Sequence, residues 1–329
     1  MKGKTRMISL TELREEVLKH DNYLLMGHLD PDGDCIGSMF ALKWYLDALN
    51  KSSLVLLSNP PDNKYKILEI SSSDYMTFHD YNYNKKKYYN CIALDSGDLE
   101  RLGEGKEIAS NCYIINIDHH IDNPAYGDVN YVNSKKAAVG EIIFDFINLD
   151  QDYLLDKKIG TAISTAIIAD TGGFKYQNTT PEVFNIMSGM MRLGVDIYNV
   201  NRAVFSTIKF SSIKLKAKAL SSLKLHENGK IAYLEVNQKM LKDVGAEEKE
   251  TSGLINYARD IIGVEVGLLF TEIEEKKTKV SLRSNTYCPV NEIAAYFSGG
   301  GHPRAAGCVI NMSVENSQET VLRKVEEYV

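Results

Sequence analysis

Residues 27–38, GHLDPDGDCIGS, place His28, Asp30, Asp32 and Asp34 at every second position just beyond an apolar run. A polar turn rich in Asp, Pro and Gly is common by itself, but it has no need of an imidazole and three carboxylates. If the chain stays extended here, alternate side chains share a face and His28, Asp32 and Asp34 converge on one pocket. Two further apolar runs end in the same way. IALDSGD carries Asp95 at its exit, and IINIDHH carries Asp118, His119 and His120. A fourth run, TAISTAIIADTGGF, ends at Asp170, where a carboxylate at a helix C-terminus opposes the macrodipole and so asks for another reason to be there. The pooled donors are Asp32, Asp34, Asp95, Asp170, His28 and His119, oxygen-rich and without a thiolate. That set suits Mn²⁺ or Mg²⁺ better than a structural zinc. Four carboxylates exceed what one catalytic ion needs, so two ions sharing a bridging carboxylate are expected. Such pairs, about 3.5–4 Å apart, activate water and stabilise the charge that develops on a phosphoryl group.

The second half holds another unusual stretch, SGGGHPRAAGCVI over residues 298–310. Consecutive glycines let backbone N–H groups approach an anion, and His302 and Arg304 stand beside Gly300 and Gly301 as side-chain donors, Arg being suited to bidentate phosphate contact. SLRSNT adds Arg283 at a strand end. Each alone reads equally well as a turn or an edge-strand charge.

The elements that must position these groups follow from periodicity. Residues 22–28, 53–58, 90–96 and 112–118 are continuously apolar and read as buried strands; residues 36–49, 138–149, 157–170, 181–193 and 196–205 read as helices. Strand–helix alternation of this kind predicts an α/β fold, a mainly parallel sheet with helices on both faces. Residues 208–225 carry five lysines and read as a solvated linker helix. Beyond them, strands at 231–237, 264–273 and 278–284 and helices at 290–297 and 315–328 predict a smaller C-terminal α/β domain. The expected division is a metal domain over 1–195, linker helices over 196–225 and a substrate-binding domain over 226–329.

At 329 residues the chain is longer than one core usually supports, which agrees with two domains. Its 44% hydrophobic and 25% charged residues exclude wholesale disorder. No apolar run approaches the roughly 20 residues of a membrane span, and no apolar stretch follows the basic opening MKGKTR, so a cytoplasmic protein without membrane attachment is expected. Five scattered cysteines without a C-x-x-C pair argue against a disulfide framework. The net charge of −6 is uneven: residues 1–204 carry 21 Lys and Arg against 28 Asp and Glu, and the remainder 17 against 16. The excess acid lies where the candidate ligands are, and bound cations would reverse its local sign. Overall acidity argues against tight binding of long duplex DNA.

In this order, GHLDPDGDCIGS, ALDSGD, the DHH of residues 118–120 and ADTGGF resemble the four motifs of the DHH phosphoesterase family. GGGHPRAAG resembles the signature of the DHH-associated C-terminal domain. The resemblance spans residues 23–325, and without extra domains the chain is most similar to the stand-alone bacterial nanoRNases. It implies that His28 and Asp32 hold one Mn²⁺ and that Asp34, His119 and Asp170 hold the other, with Asp95 bridging. It further implies that Asp118 orients His119 and that His120 sits by the scissile phosphate. Gly300, Gly301, His302, Arg304 and Arg283 would grip the terminal phosphate or nucleotide across a cleft. The implied activity is hydrolysis of short oligoribonucleotides (pApA among them) to mononucleotides, with removal of the 3′-phosphate of 3′-phosphoadenosine 5′-phosphate. The family is also compatible with a homodimer. A cyclic di-AMP phosphodiesterase is the nearest alternative and a silent nucleotide sensor the non-enzymatic one.

Overall fold

The computed structural model describes residues 5–81, 88–206, 208–226 and 229–329. The first four residues of the basic opening segment lie outside the described residues. The chain divides into two units, residues 1–207 and 208–329.

In the first unit, strands β1 (Arg6–Met7), β2 (Tyr23–Met26), β3 (Ser53–Leu57), β4 (Tyr75–Thr77), β5 (Asn90–Leu94), β6 (Tyr113–Asp118) and β7 (Val129–Val132) form one sheet in the order β1-β7-β6-β5-β2-β3-β4. Every pairing is parallel. Its helices are α1 (Leu10–Lys19), α2 (Gly33–Ala48), α3 (Phe78–Tyr81), α4 (Gly105–Ala109), α5 (Val139–Asn148), α6 (Lys157–Asp170), α7 (Pro181–Arg192) and α8 (Ile197–Phe205). The strands are apolar throughout because both faces are covered. Tyr23, Leu25, Ile92, Leu94, Ile115 and Ile117 join the core with α2, α5 and α6. Their sequence neighbours Leu24, Met26, Cys91, Ala93 and Ile114 face Phe78, Leu102 and Ala109 on the other side.

The strand order reverses at β2. The chain leaves β2 through α2 to build β3 and β4 on one side, then returns to add β5, β6 and β7 on the other. Open parallel sheets bind ligands outside the carboxyl ends of strands at such a switch point. Here those ends deliver His28, Asp95 and Asp118–His120. Asp170 must reach the same place from a helix. Gly33 and Gly37 of α2 do this by letting α6 come close: a methyl at Gly33 would stand 2.4 Å from the Ala169 Cβ, and one at Gly37 2.4 Å from the Ala162 carbonyl. The helices therefore run antiparallel at near-backbone contact, with the end of α6 beside the start of α2.

The second unit holds a six-stranded sheet of β8 (Lys224–Leu225), β9 (Ile231–Val236), β10 (Val266–Glu274), β11 (Lys277–Ser284), β12 (Gly300–His302) and β13 (Ala305–Ile310), in the order β12-β13-β11-β10-β9-β8. Only β9 and β10 pair in parallel. Of its helices, α9 (Phe210–Ser221), α10 (Gln238–Val244) and α11 (Ile255–Arg259) cover one face. The other is covered by α12 (Val290–Tyr296) and α13 (Val314–Glu326). The stretch expected to link the units is shared between them. Val200 of α8 is buried in the first core, and Leu215 and Ala219 of α9 in the second. The lysine-rich stretch is one helix only as far as Ser221; Lys224 and Leu225 then add an edge strand.

Gly37→Ala tests the helix contact. Its Cβ meets the Ala162 carbonyl at 2.4 Å and the Ala166 amide nitrogen at 2.8 Å, so urea unfolding is expected to show a loss of about 1–3 kcal/mol, as for other overpacked sites. Gly189→Ala in α7, where nothing lies within 4 Å of the new methyl, is expected to be neutral or stabilising by up to about 1 kcal/mol.

Candidate metal centre

After β2 the chain does not stay extended. Asp32 is the N-cap of α2, its Oδ1 accepting hydrogen bonds from the amides of Asp34 (3.0 Å) and Cys35 (3.1 Å). The convergence of His28, Asp32 and Asp34 thus comes from a helix entry and not from strand alternation, and Asp30 is left exposed. Asp34, in the first turn, is fully buried. Its Oδ2 accepts from the Val139 amide at 2.6 Å, and its Oδ1 accepts from the Gly140 amide and the Ser38 hydroxyl, both at 2.9 Å. Residue 138, the N-cap of α5, is an alanine with no side-chain acceptor, so Asp34 caps that helix from elsewhere in the sequence.

Asp95 closes β5 with φ at 53°, a left-handed conformation uncommon outside glycine but tolerated by Asp. Its two oxygens face different imidazoles: Oδ1 lies 3.7 Å from Nε2 of His119, and Oδ2 lies 3.7 Å from Nε2 of His28. The same His119 nitrogen is 3.2 Å from Asp170 Oδ2 and 3.9 Å from Asp34 Oδ2. His28 Nε2 is 3.9 Å from Asp32 Oδ1. His119 Nδ1 stands 3.2 Å from the Lys136 carbonyl. That contact assigns the proton to Nδ1 and leaves the Nε2 lone pair for a cation. Donor atoms of Asp34, His119 and Asp170 lie within 4.8 Å of one another, as do those of Asp95, His119 and His120 and of His28, Cys35 and Asp95. The Cys35 thiol is a donor the sequence reading left out. Burial, then the charges of Asp95 and Asp32, push it well up, so it stays protonated.

The carboxylates separate by their partners. Burial and then repulsion from Asp34 and Asp32 push Asp95 well above the usual range, and burial followed by the same two neighbours raises Asp170 to about 9. Burial raises Asp34 as well. For Asp32 burial pushes upward, but His28 and the helix amides outweigh it and the net is downward. Among the described residues, Asp32, Asp34, Asp95 and Asp170 form ion pairs only with imidazoles. An acidic cluster with Asp34 and Asp95 buried at its centre and no ion-paired Lys or Arg among the described residues fits a divalent cation, which would supply the missing charge.

Asp118 reaches His119 only through the backbone, accepting from its amide at 2.8 Å. The ring it holds is that of His120, whose Nδ1 donates to the same oxygen at 2.8 Å. Asn123 donates to the other oxygen at 2.5 Å. The hydrogen bond from His120 to Asp118, and then the charge of Asp118, raise the His120 pKa despite partial burial. Asn123 and the Lys136 carbonyl carried no motif signal, and Ser38 closes the first motif without having been singled out. Of the amides that hold Asp34, only the missing cap before α5 hinted at an outside partner.

In the second unit, Arg283 and His302 both pair across strands with Ala305, which puts them on one sheet face. Arg283 is half-buried, its guanidinium donating to the Leu282 carbonyl at 3.0 Å. It lines a cleft of 490 Å³ with Lys279 and Ser281. Arg304 belongs to the opposite face, where its guanidinium donates to the Cys288 carbonyl at 2.9 Å. Of the glycines, Gly299 and Gly301 are pressed on β13: added methyls would fall 2.3 Å from the Gly307 carbonyl and 2.5 Å from that of Ala305. Gly300 faces open space. The expected loop is therefore an edge strand, exposed at Gly300 and Gly301.

A raised carboxyl pKa stabilises the fold below the ordinary value near 3.8, and that contribution drains away as pH rises toward the folded value. The raised His120 acts in the same direction. With metal chelated, the Tm of the first unit should fall as pH rises from 5 to about 9. Asp170→Asn should flatten that slope, and saturating Mn²⁺ should remove it. Thermal scans at fixed ionic strength check this.

Residues 22–169 match the family model "DHH family, N-terminal domain", and residues 228–329 match "DHHA1 domain". A protein of Thermus thermophilus named bifunctional oligoribonuclease and PAP phosphatase NrnA is 31% identical over 91% of this chain and 88% of its own length. One of Streptococcus mutans, named as a probable bifunctional oligoribonuclease and PAP phosphatase, is 28% identical over 94% of this chain and 96% of its own. The crystal structure of an exopolyphosphatase-related protein from Bacteroides fragilis has a TM-score of 0.87 at 25% identity, covering 97% of this chain and 96% of that one. On its matches over nearly the whole length, the chain belongs to the DHH family and carries a DHHA1 domain in its second half.

Proposed function

We propose that the chain is a two-metal phosphoesterase. It hydrolyses short oligoribonucleotides, pApA included, to mononucleotides, and it removes the 3′-phosphate of 3′-phosphoadenosine 5′-phosphate. The observation that carries the two-metal reading is Asp95, whose two oxygens face two different imidazoles at 3.7 Å each. The substrate class rests on the relatives named as oligoribonuclease and PAP phosphatase over almost the full chain.

His28 and Asp32 would hold one ion, Asp34, His119 and Asp170 the other, and Asp95 both. The oxygen-rich set favours Mn²⁺, with Mg²⁺ as the alternative. Divalent ions so held supply a water of lowered pKa and offset charge on the phosphoryl oxygens.

The protein's own groups do the rest. Asp118 takes the Nδ1 proton of His120 in a hydrogen bond and is itself fixed by Asn123, so His120 presents Nε2 outward. The hydrogen bond to Asp118 and its charge raise the His120 pKa and so favour the protonated ring, from which Nε2 can donate to the leaving oxygen. In the second unit, Arg283, His302 and the exposed backbone at Gly300 and Gly301 receive the terminal phosphate or nucleotide. Arg304 supports them from behind through the Cys288 carbonyl. A cytoplasmic setting suits these substrates, and among the described residues no helix is long and apolar enough to cross a membrane.

The test is product analysis with Mn²⁺ on pApA, a five-nucleotide RNA, 3′-phosphoadenosine 5′-phosphate, cyclic di-AMP and a 30-nucleotide single strand. Rapid release of mononucleotides from the short oligomers, with little action on the cyclic compound or the long strand, is expected. Preferential opening of cyclic di-AMP would move the protein to signalling, and no turnover at all would favour a sensor. Asp95→Ala and His119→Ala should lose both Mn²⁺ binding and turnover. His120→Ala should lower kcat about 10²–10⁴-fold while calorimetry still shows Mn²⁺ bound.

A further inference from the structure

Arg101 lies in the segment that follows Asp95, and its guanidinium Nη1 stands 3.4 Å from Nε2 of His120. The residue is exposed, but its backbone is tied on both sides. Its amide donates to Asp98 Oδ1 at 2.9 Å, and its carbonyl accepts from the Leu29 amide at 2.8 Å, next to His28. Gly97 lies against the pair: a methyl there would be in ordinary contact, 3.5 Å from Arg101 Nη1 and 3.6 Å from the His120 ring.

The charge pattern is the unusual part. Arg101 stands at the edge of a centre with five aspartates, yet among the described residues its guanidinium makes no ion pair. It is directed instead at the outward nitrogen of an imidazole whose other nitrogen already donates to Asp118. With one N–H aimed at His120 Nε2 and its other donors without a side-chain partner among the described residues, the guanidinium is placed at the mouth of the centre to take an anion. A guanidinium is always charged and matches the oxygens of a phosphoryl group.

We infer that Arg101 is a catalytic residue that grips the scissile phosphate. Its guanidinium donates to a non-bridging oxygen while His120 Nε2 faces the leaving oxygen. The assignment rests on the phosphoesterase reading for its substrate, and it adds a protein donor where charge spreads over the phosphoryl oxygens as the bond breaks.

The test uses the full chain loaded with Mn²⁺. Arg101→Ala should lower kcat on pApA and 3′-phosphoadenosine 5′-phosphate by about 10²-fold or more, as loss of a preorganised donor does elsewhere. Arg101→Lys should keep part of the rate, and guanidinium ion added to Arg101→Ala should restore part of it. By calorimetry, inorganic phosphate should bind Arg101→Ala about tenfold more weakly or worse, the value of one charged hydrogen bond, with Mn²⁺ affinity unchanged. The same loss of phosphate affinity in a His120→Ala background separates contact with phosphate from mere support of the imidazole. Undiminished phosphate affinity in Arg101→Ala, or a parallel fall in Mn²⁺ affinity, overturns the inference. If no nucleotide is turned over but phosphate binding still depends on Arg101, the nuclease reading fails and the phosphate contact stands.

Discussion

Repulsion among the buried carboxylates Asp34 and Asp95 and the half-buried Asp170 is the constraint around which the first unit is arranged. Like charges in a poorly solvated site resist ionisation, and among the described residues no Lys or Arg pairs with them. The protein moderates the repulsion unevenly. Asp32 accepts from two amides at the start of α2, and Asp118 accepts from the His119 amide, the His120 ring and Asn123. Both end up below the usual carboxyl range. Asp34 takes two amides from α5 yet remains raised because it is wholly buried. Asp95 and Asp170 are raised by burial and by neighbouring carboxylates with no donor opposing. The groups left without a protein donor are those whose charge only a cation can satisfy.

Bringing such groups together against their repulsion requires a stiff frame. Parallel strands supply three of the contributing segments at the switch point, where backbone pairing fixes their ends relative to one another. The fourth comes from α6, which has no strand to hold it. Its position is set by Gly33 and Gly37, which reduce the α2 surface to backbone along the stripe that meets Ala162, Ala166 and Ala169. Both helices are buried nearly all round, so packing leaves them little freedom to separate. The link from glycine to metal centre is thus mechanical: closer helices bring Asp170 to within 3.2 Å of His119.

Much of this was legible in the sequence because the parallel sheet is buried on both faces. Continuous apolar runs marked β2, β3, β5 and β6 to within a residue or two, and Lys157–Asp170 was read with its observed bounds. Short edge elements escaped notice. Arg6–Met7 and Tyr75–Thr77 are two or three residues long, exposed or half-buried, and exist only because a neighbouring strand offers hydrogen bonds. The glycine triplet was read as an anion loop since its composition shows freedom; what the composition does not show is β13 pressed against Gly299 and Gly301. Arg304 comes two residues after His302, but the hairpin turn at Pro303 and Arg304 breaks the alternation and sends its guanidinium to the Cys288 carbonyl. Backbone contributors such as the Lys136 carbonyl and the amides of Val139 and Gly140 have no side-chain signature at all.

Alternation explains the internal order of the DHH segment. It failed for residues 28–34, where a helix begins, but it holds where β6 runs out. Asp118 and His120, two apart, fall on one side and hydrogen-bond at 2.8 Å, while His119 points elsewhere. The two adjacent rings stand at 75° with centroids 4.9 Å apart. One is held by a carbonyl and turns Nε2 toward Asp34, Asp95 and Asp170; the other is held by a carboxylate and turns Nε2 toward Arg101. A carbonyl partner holds the proton on Nδ1 and frees Nε2 to ligate, whereas a carboxylate partner favours the doubly protonated ring. Two consecutive histidines can therefore serve as ligand and as proton donor because the strand presents them to different partners.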